Sequence, residues 1–168
     1  MSNLKLLLIT LVAAWLQLYF LGNMRPLGVL PNLLIIVIIY AGLLREATET
    51  LAIALGGGLI LDLASGADFG LRMAFYAVLA LVVMVLRQMG ADFENLGLVL
   101  ATTAVGAFLY NLAVITGLAL QHGSVPLSLA AGRIGRELLL DLVLVVLLRP
   151  LLIKILQMPA TAPKVMGG

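Results

Sequence analysis

LGVLPNLLIIVIIYAGLLREATETLAIALGGGLILDLA, residues 27–64, is the stretch whose reading decides the fold. It holds two apolar runs, Leu27–Leu44 and Thr48–Ala64, parted only by the charged pair Arg45-Glu46 and Ala47. A helix rises about 1.5 Å per residue, so about 20 apolar residues cross the roughly 30 Å of hydrocarbon in a bilayer. Each run is close to that length. The few residues between them predict a tight hairpin of two membrane helices, because lipid offers no partners to free backbone groups.

The rest of the chain agrees with this stretch. Of its 168 residues, 63% are hydrophobic and 11% charged, and the mean hydropathy is +1.19. Soluble domains carry roughly 45–50% apolar and about 25% charged residues. Further apolar runs predict helices at Leu4–Leu21, Phe69–Met89, Asn95–Leu120 and Arg133 to about Leu156. Their breaks carry turn chemistry: Gly22-Asn23 with Pro26, Ser65-Gly66-Ala67-Asp68, Gly90-Ala91-Asp92, and Gln121 through Pro126. Alternating strands of a membrane barrel are absent. The expected fold class is thus an all-α membrane protein, a six-transmembrane-helix bundle. Residues 1–158 form its single domain and residues 159–168 a flexible tail. No internal repeat stands out.

The run Leu6–Leu21 ends in Leu18-Tyr19-Phe20-Leu21, bulky where a cleaved signal has small residues. It reads as a retained first helix, with Trp15 and Tyr19 as interfacial anchors. With a cytoplasmic N-terminus, Lys5, Arg45, Arg87, Arg149, Lys154 and Lys164 fall inside, and Arg25, Arg72, Arg133 and Arg136 outside. Six against four places both termini in the cytoplasm by the positive-inside rule.

Several function classes are excluded. The net charge is +2 with Lys and Arg scattered singly, which fits no nucleic-acid surface. There is no cysteine and one histidine, His122, so thiolate and His-pair metal sites are ruled out. No cofactor is expected.

Polar residues inside the spans carry the remaining information, because a charge at the bilayer centre costs about 2.5–3.5 kcal/mol on insertion scales. Ala54, Gly58 and Asp62 share a face, and Asp62 sits near the outer end of its helix within reach of Arg72. Gly56, Gly57 and Gly58 favour a close crossing with another helix. Asp68 is placed to cap the fourth helix. On the fifth, Thr103, Ala107 and Asn111 share one face and Thr102, Gly106 and Tyr110 another, which predicts interhelical hydrogen bonds. In the sixth, Arg133 and Glu137 can bridge along the helix. Glu137 and Asp141 are a like-charge pair that needs a cation, such as Arg136. No nucleophile or metal set accompanies these carboxylates, so acid–base catalysis is not expected. Arg149-Pro150 reads as a kink or the inner boundary, with Arg149 snorkelling to headgroups and the residues beyond it along the membrane surface.

Met24-Arg25-Pro26 through Pro31-Asn32-Leu33-Leu34 opens the second helix. Gly56 through Leu63 follows, then Ser65-Gly66 and Phe69-Gly70. In these residues and in its length the chain resembles the MreD family of small bacterial rod-shape proteins. Asn32 stands where that family commonly has Asp. The resemblance implies a six-span protein of the bacterial cytoplasmic membrane. Its helices would be arranged as in the substrate-binding subunits of energy-coupling-factor vitamin transporters. It implies a scaffold or regulator of the machinery that elongates the side-wall peptidoglycan. Its partner would be the single-span protein MreC, and indirectly MreB, RodA and a penicillin-binding transpeptidase. Pro31, Asn32, Gly56, Gly57, Gly58, Asp62, Gly66, Gly70, Arg72, Glu137 and Asp141 are the candidate packing or partner-binding residues.

Two other classes compete. A vitamin-binding transporter subunit calls for an Ala-x-x-x-Ala face on an early helix. Ala13-Ala14 lacks that spacing. An intramembrane enzyme calls for paired reactive groups facing one cavity, with only Asp62, Glu137 and Asp141 to supply them.

Overall fold

The structure, a computed structural model, describes residues 3–21, 28–65, 70–92, 94–122 and 127–157. Among the described residues six helices follow one another. α1 is Asn3–Trp15, continued by a π-helical turn over Leu16–Leu21. α2 is Leu33–Leu44, α3 Ala47–Ser65, α4 Leu71–Gln88, α5 Leu96–His122 and α6 Leu127–Gln157. The described residues contain no strand. The protein is an all-α membrane protein. Ala47–Ala64, Leu71–Gln88 and Leu96–Gly117 are long and apolar enough to cross a bilayer.

α2 is shorter than expected. A helix over Leu27–Leu44 is predicted by apolar length, but the chain is not helical from Val29 to Asn32. Gly28 adopts φ +75°, Pro31 disfavours helix in the residue before it, and the Asn32 side chain accepts the N–H of Ile35 as an N-cap. The 12 residues that remain reach only about 18 Å. All but the last of them are buried. α2 packs against each of the other five helices and forms the axis of the bundle. A helix apolar all round is one that is surrounded.

One other boundary moves. α6 begins at Leu127 rather than Arg133, so the expected loop through Pro126 is followed directly by helix. It also continues through Pro150 to Gln157 with Leu152 and Leu156 buried. The helix thus ends where expected, and the residues after Pro150 pack into the bundle instead of lying along the membrane surface. The α2–α3 hairpin is as tight as predicted, since only Arg45 and Glu46 part the helices. Asp68, Gly66 and the expected tail 159–168 lie outside the described residues.

Lipid supplies no hydrophobic drive for one helix to seek another, so close packing depends on small residues. Of the described glycines Gly58 has the tightest site, where a Cβ would lie 2.5 Å from the Met73 Cα of α4. At Gly57 a Cβ would meet a Leu34 methyl at 2.7 Å, and at Gly42 a Val83 methyl at 2.6 Å. Outward faces are apolar: Val78, Leu81, Val82 and Val85 on α4, Val105 and Phe108 on α5, Leu139 and Val143 on α6. In a bilayer these faces meet acyl chains.

Candidate functional site

The buried carboxylates and amides gather at one end of the bundle, whereas the buried Thr10, Thr50 and Thr103 lie elsewhere in it. Because the helices run up and down in turn, this end holds the last turns of α1 and α3, the starts of α2 and α4, the later part of α5 and the early part of α6. Each of the six helices contributes a polar side chain there.

Asp62, 3% exposed, is the clearest case. Its carboxylate accepts the backbone N–H groups of Gly70 at 3.0 Å, Arg72 at 3.3 Å and Met73 at 3.1 Å. The first turn of α4 has free N–H groups, and Gly70 (φ +95°) at the cap position has no side chain to offer them. Asp62 supplies that cap from the neighbouring helix. The capping role expected of Asp68 lies outside the described residues, and Asp62 was expected to pair with Arg72. Asp62 does meet Arg72, through its backbone N–H. The Arg72 guanidinium donates to the Leu61 carbonyl at 2.8 Å and to the Tyr110 hydroxyl at 3.1 Å, binding α4 to α3 and α5 together.

A second cluster sits at the start of α2. The backbone N–H of Asn32 donates to Asp141 Oδ1 at 2.7 Å, which joins α2 to α6. The Tyr76 hydroxyl donates to Asn32 Oδ1 at 2.9 Å, which joins α4 to α2. Gln17, in the π turn of α1, accepts the N–H of Leu34 at 3.2 Å. Asn32 is 2% exposed and Asp141 0%. Asn32 Nδ2 and Asp141 Oδ2 are buried with no hydrogen-bond partner among the described residues. Pro31 is buried beside them.

Glu137, one turn before Asp141, is buried and takes the predicted pair with Arg133 at 3.9 Å. The Asn111 amide lies against its carboxylate and donates to the Ala107 carbonyl at 3.0 Å. Arg136 Nε donates to the Gly132 carbonyl of its own helix, and the group resting on Asp141 is the Asn32 N–H rather than a cation. The predicted interhelical role of the α5 threonines is also corrected. Thr102, Thr103 and Thr116 each donate to the carbonyl four residues back at 2.8 Å, which satisfies the hydroxyl within the helix. Tyr110 is the α5 hydroxyl that does reach across, and it stacks on Tyr76 at 6.1 Å.

Of the predicted residues, Asn32, Asp62, Arg72, Glu137 and Asp141 converge on this end of the bundle, with Gly70 at the α4 cap. Gly57 and Gly58 line helix crossings, whereas a Cβ on Gly56 would meet only Thr10, at 3.9 Å. Gln17 and Tyr76 were missed. The signal for Gln17 was available, as it is the one amide in the apolar run Leu6–Leu21. Tyr76 gave none, because a tyrosine in a membrane span reads equally well as an interfacial anchor. Among the described residues no three His, Cys, Asp or Glu are grouped to hold a metal ion.

The arrangement is chemically one of stitching: Asp62, Asp141 and Gln17 each accept a backbone N–H of a second helix. No curated protein and no solved structure matches the chain. A family model described as rod shape-determining protein MreD matches residues 2–159 of the 168, and the chain belongs to the MreD family.

Proposed function

We propose that this protein is a non-catalytic scaffold of the machinery that elongates the bacterial cell wall and keeps cells rod-shaped. In this reading it sits in the cytoplasmic membrane with both termini inside and binds a single-span partner of the MreC type. It acts indirectly with MreB, RodA and a penicillin-binding transpeptidase.

The observation that carries the reading is where the polar groups go. Asp62, Asn32, Asp141 and Arg72 are spent on binding helix to helix. What remains outside is a rigid body with apolar faces, suited to receive another membrane helix. The orientation is supported by the grouping of Arg45, Arg87 and Arg149 at the end opposite the polar cluster, where Arg87 donates to the Arg45 carbonyl and Arg149 to the Glu94 carbonyl.

Affinity purification of the full chain in mild detergent tests the function. Recovery of a single-span protein with a periplasmic domain is expected. Recovery of none, together with full rescue of rod shape by a version that binds no membrane partner, would refute it. Single cysteines placed at Asp92 and at Arg133 in this cysteine-free chain test the orientation. A membrane-impermeant thiol reagent should label only the second in intact spheroplasts.

A further inference from the structure

We propose that a cleft between the first turns of α3 and the last turns of α4 binds the headgroup of an anionic phospholipid. Arg45, Arg87 and Gln88 stand at its rim, and Leu51, Leu81 and Met84 line it nearer the middle of the helices. Its volume is about 490 Å³, room for a phosphodiester with part of its glycerol backbone.

Two arginines border the cleft, Arg87 exposed and Arg45 with its side chain 13% exposed. Arg87 donates through one nitrogen to the Arg45 carbonyl at the α2–α3 hairpin, which draws the end of α4 against that turn. Arg45 Nε lies 3.8 Å from Glu49 one turn into α3. No carboxylate lines the cleft itself. A guanidinium has five N–H donors in a planar fork, so Arg87 retains donors for phosphate oxygens after serving the carbonyl. Arg87 and Gln88 are exposed, so the rim is open.

The apolar lining selects a lipid over a free phosphate. Leu81 is 51% exposed and Val85, also in the lining, 53%. They offer a surface along which an acyl chain can lie below the headgroup. A zwitterionic choline lipid would bring a cation toward the two arginines, whereas phosphatidylglycerol would not. The end that carries Arg45 and Arg87 is the cytoplasmic end in the orientation proposed above. Only the choice of leaflet depends on that orientation. The binding itself does not, and it is measured without any protein partner.

The test is native mass spectrometry of the full chain released from micelles containing equal phosphatidylglycerol and phosphatidylcholine. Wild type is expected to retain phosphatidylglycerol preferentially. Arg45→Gln and Arg87→Gln should each reduce that preference about fivefold, the effect of removing one basic residue near an anionic surface. Gln88→Glu, which removes no contact and adds a negative charge at the rim, should lower it as well. Arg136→Gln, at the opposite end, should leave it unchanged. An undiminished preference in the Arg45→Gln/Arg87→Gln double variant, or an equal loss in Arg136→Gln, would overturn the site. Displacement of the lipid by soluble glycerol phosphate at matched concentration would overturn the lipid and assign a free phosphate instead.

Discussion

Gly58→Ala is the most demanding perturbation of this fold, and its cost can be worked from the geometry. The new methyl would lie 2.5 Å from the Cα of Met73, 2.8 Å from its nitrogen and 3.2 Å from the carbonyl carbon of Arg72. These are backbone atoms, so no rotamer change relieves the contact. Restoring ordinary carbon–carbon separation moves α4 away from α3 by about 1 Å. The Asp62 carboxylate then loses its hold on the N–H groups of Gly70, Arg72 and Met73, because bonds of 3.0–3.3 Å stretched by that amount are no longer hydrogen bonds. Overpacking costs about 1–3 kcal/mol and a lost N-cap about 1–2 kcal/mol, so the variant should lose about 2–5 kcal/mol. For a chain of this size that is a fall in Tm on the order of 10 °C. Gly56→Ala is the control two residues away. Its methyl meets only Thr10 Cγ2 at 3.9 Å, and alanine is the better helix former by about 1 kcal/mol. Thermal unfolding of both variants in one detergent measures the difference. Equal melting temperatures would refute the claim that the α3–α4 crossing is limited at Gly58.

Four further variants, at three positions, probe the polar cluster by the same measurement. Asp141→Asn keeps an oxygen for the Asn32 N–H and removes a charge that faces no cation among the described residues, so it should melt at or above wild type. Asp141→Ala leaves that N–H buried and unpaired and should cost about 1–3 kcal/mol; an equal loss in both would show that the charge itself is needed. Tyr76→Phe removes the hydroxyl from Asn32 Oδ1, which keeps the Ile35 N–H, so a loss of about 0.5–1.5 kcal/mol is expected and a larger one would contradict this pairing. Arg72→Lys cannot reach the Leu61 carbonyl and the Tyr110 hydroxyl together with one ammonium in the same geometry, so it should be destabilised, whereas a wild-type melting curve would mean that one of these bonds carries nothing.

What could be read in the sequence follows the physics of each residue. The spans were legible because length and apolarity alone decide them. The α2–α3 hairpin was legible because Arg45-Glu46 leaves no room for anything else. The burial of Ala54, Gly58 and Asp62 on one face followed from four-residue spacing. The early break in α2 is written in Pro31-Asn32, whose turn chemistry outweighs the apolar length of Leu27–Leu44. The extra turns at the start of α6 were hidden by Pro126, which reads as a breaker although proline is also at home just before a helix. The partners of Asp62 and Asp141 were illegible for a different reason. Both accept from backbone N–H groups of another helix, and a backbone N–H has no signature in a sequence. Pairing rules for side chains find Arg133 with Glu137 and miss Asn32 with Asp141.

The same reasoning bears on where function resides. In a soluble domain a buried, uncompensated carboxylate is a functional suspect, because burying it costs stability that apolar packing would supply. In lipid that inference weakens, since apolar contact does little to hold one helix to another and polar contacts and glycines must do so. Asp62 stitches α3 to α4, Asn32 with Asp141 stitches α2 to α6, and Gln17 stitches α1 to α2. A lost stitch should therefore act on the whole bundle and weaken every partner contact together. A residue that selects one partner should lie on an outward face and leave Tm unchanged when altered. Exchanging the exposed Val105 or Phe108 of α5 for other apolar residues, and scoring partner recovery beside melting temperature, separates the two kinds. Variants that lose a partner without losing Tm would map the receiving face. If partner loss tracked Tm at every position, the separation of an internal frame from an outer binding surface would be wrong.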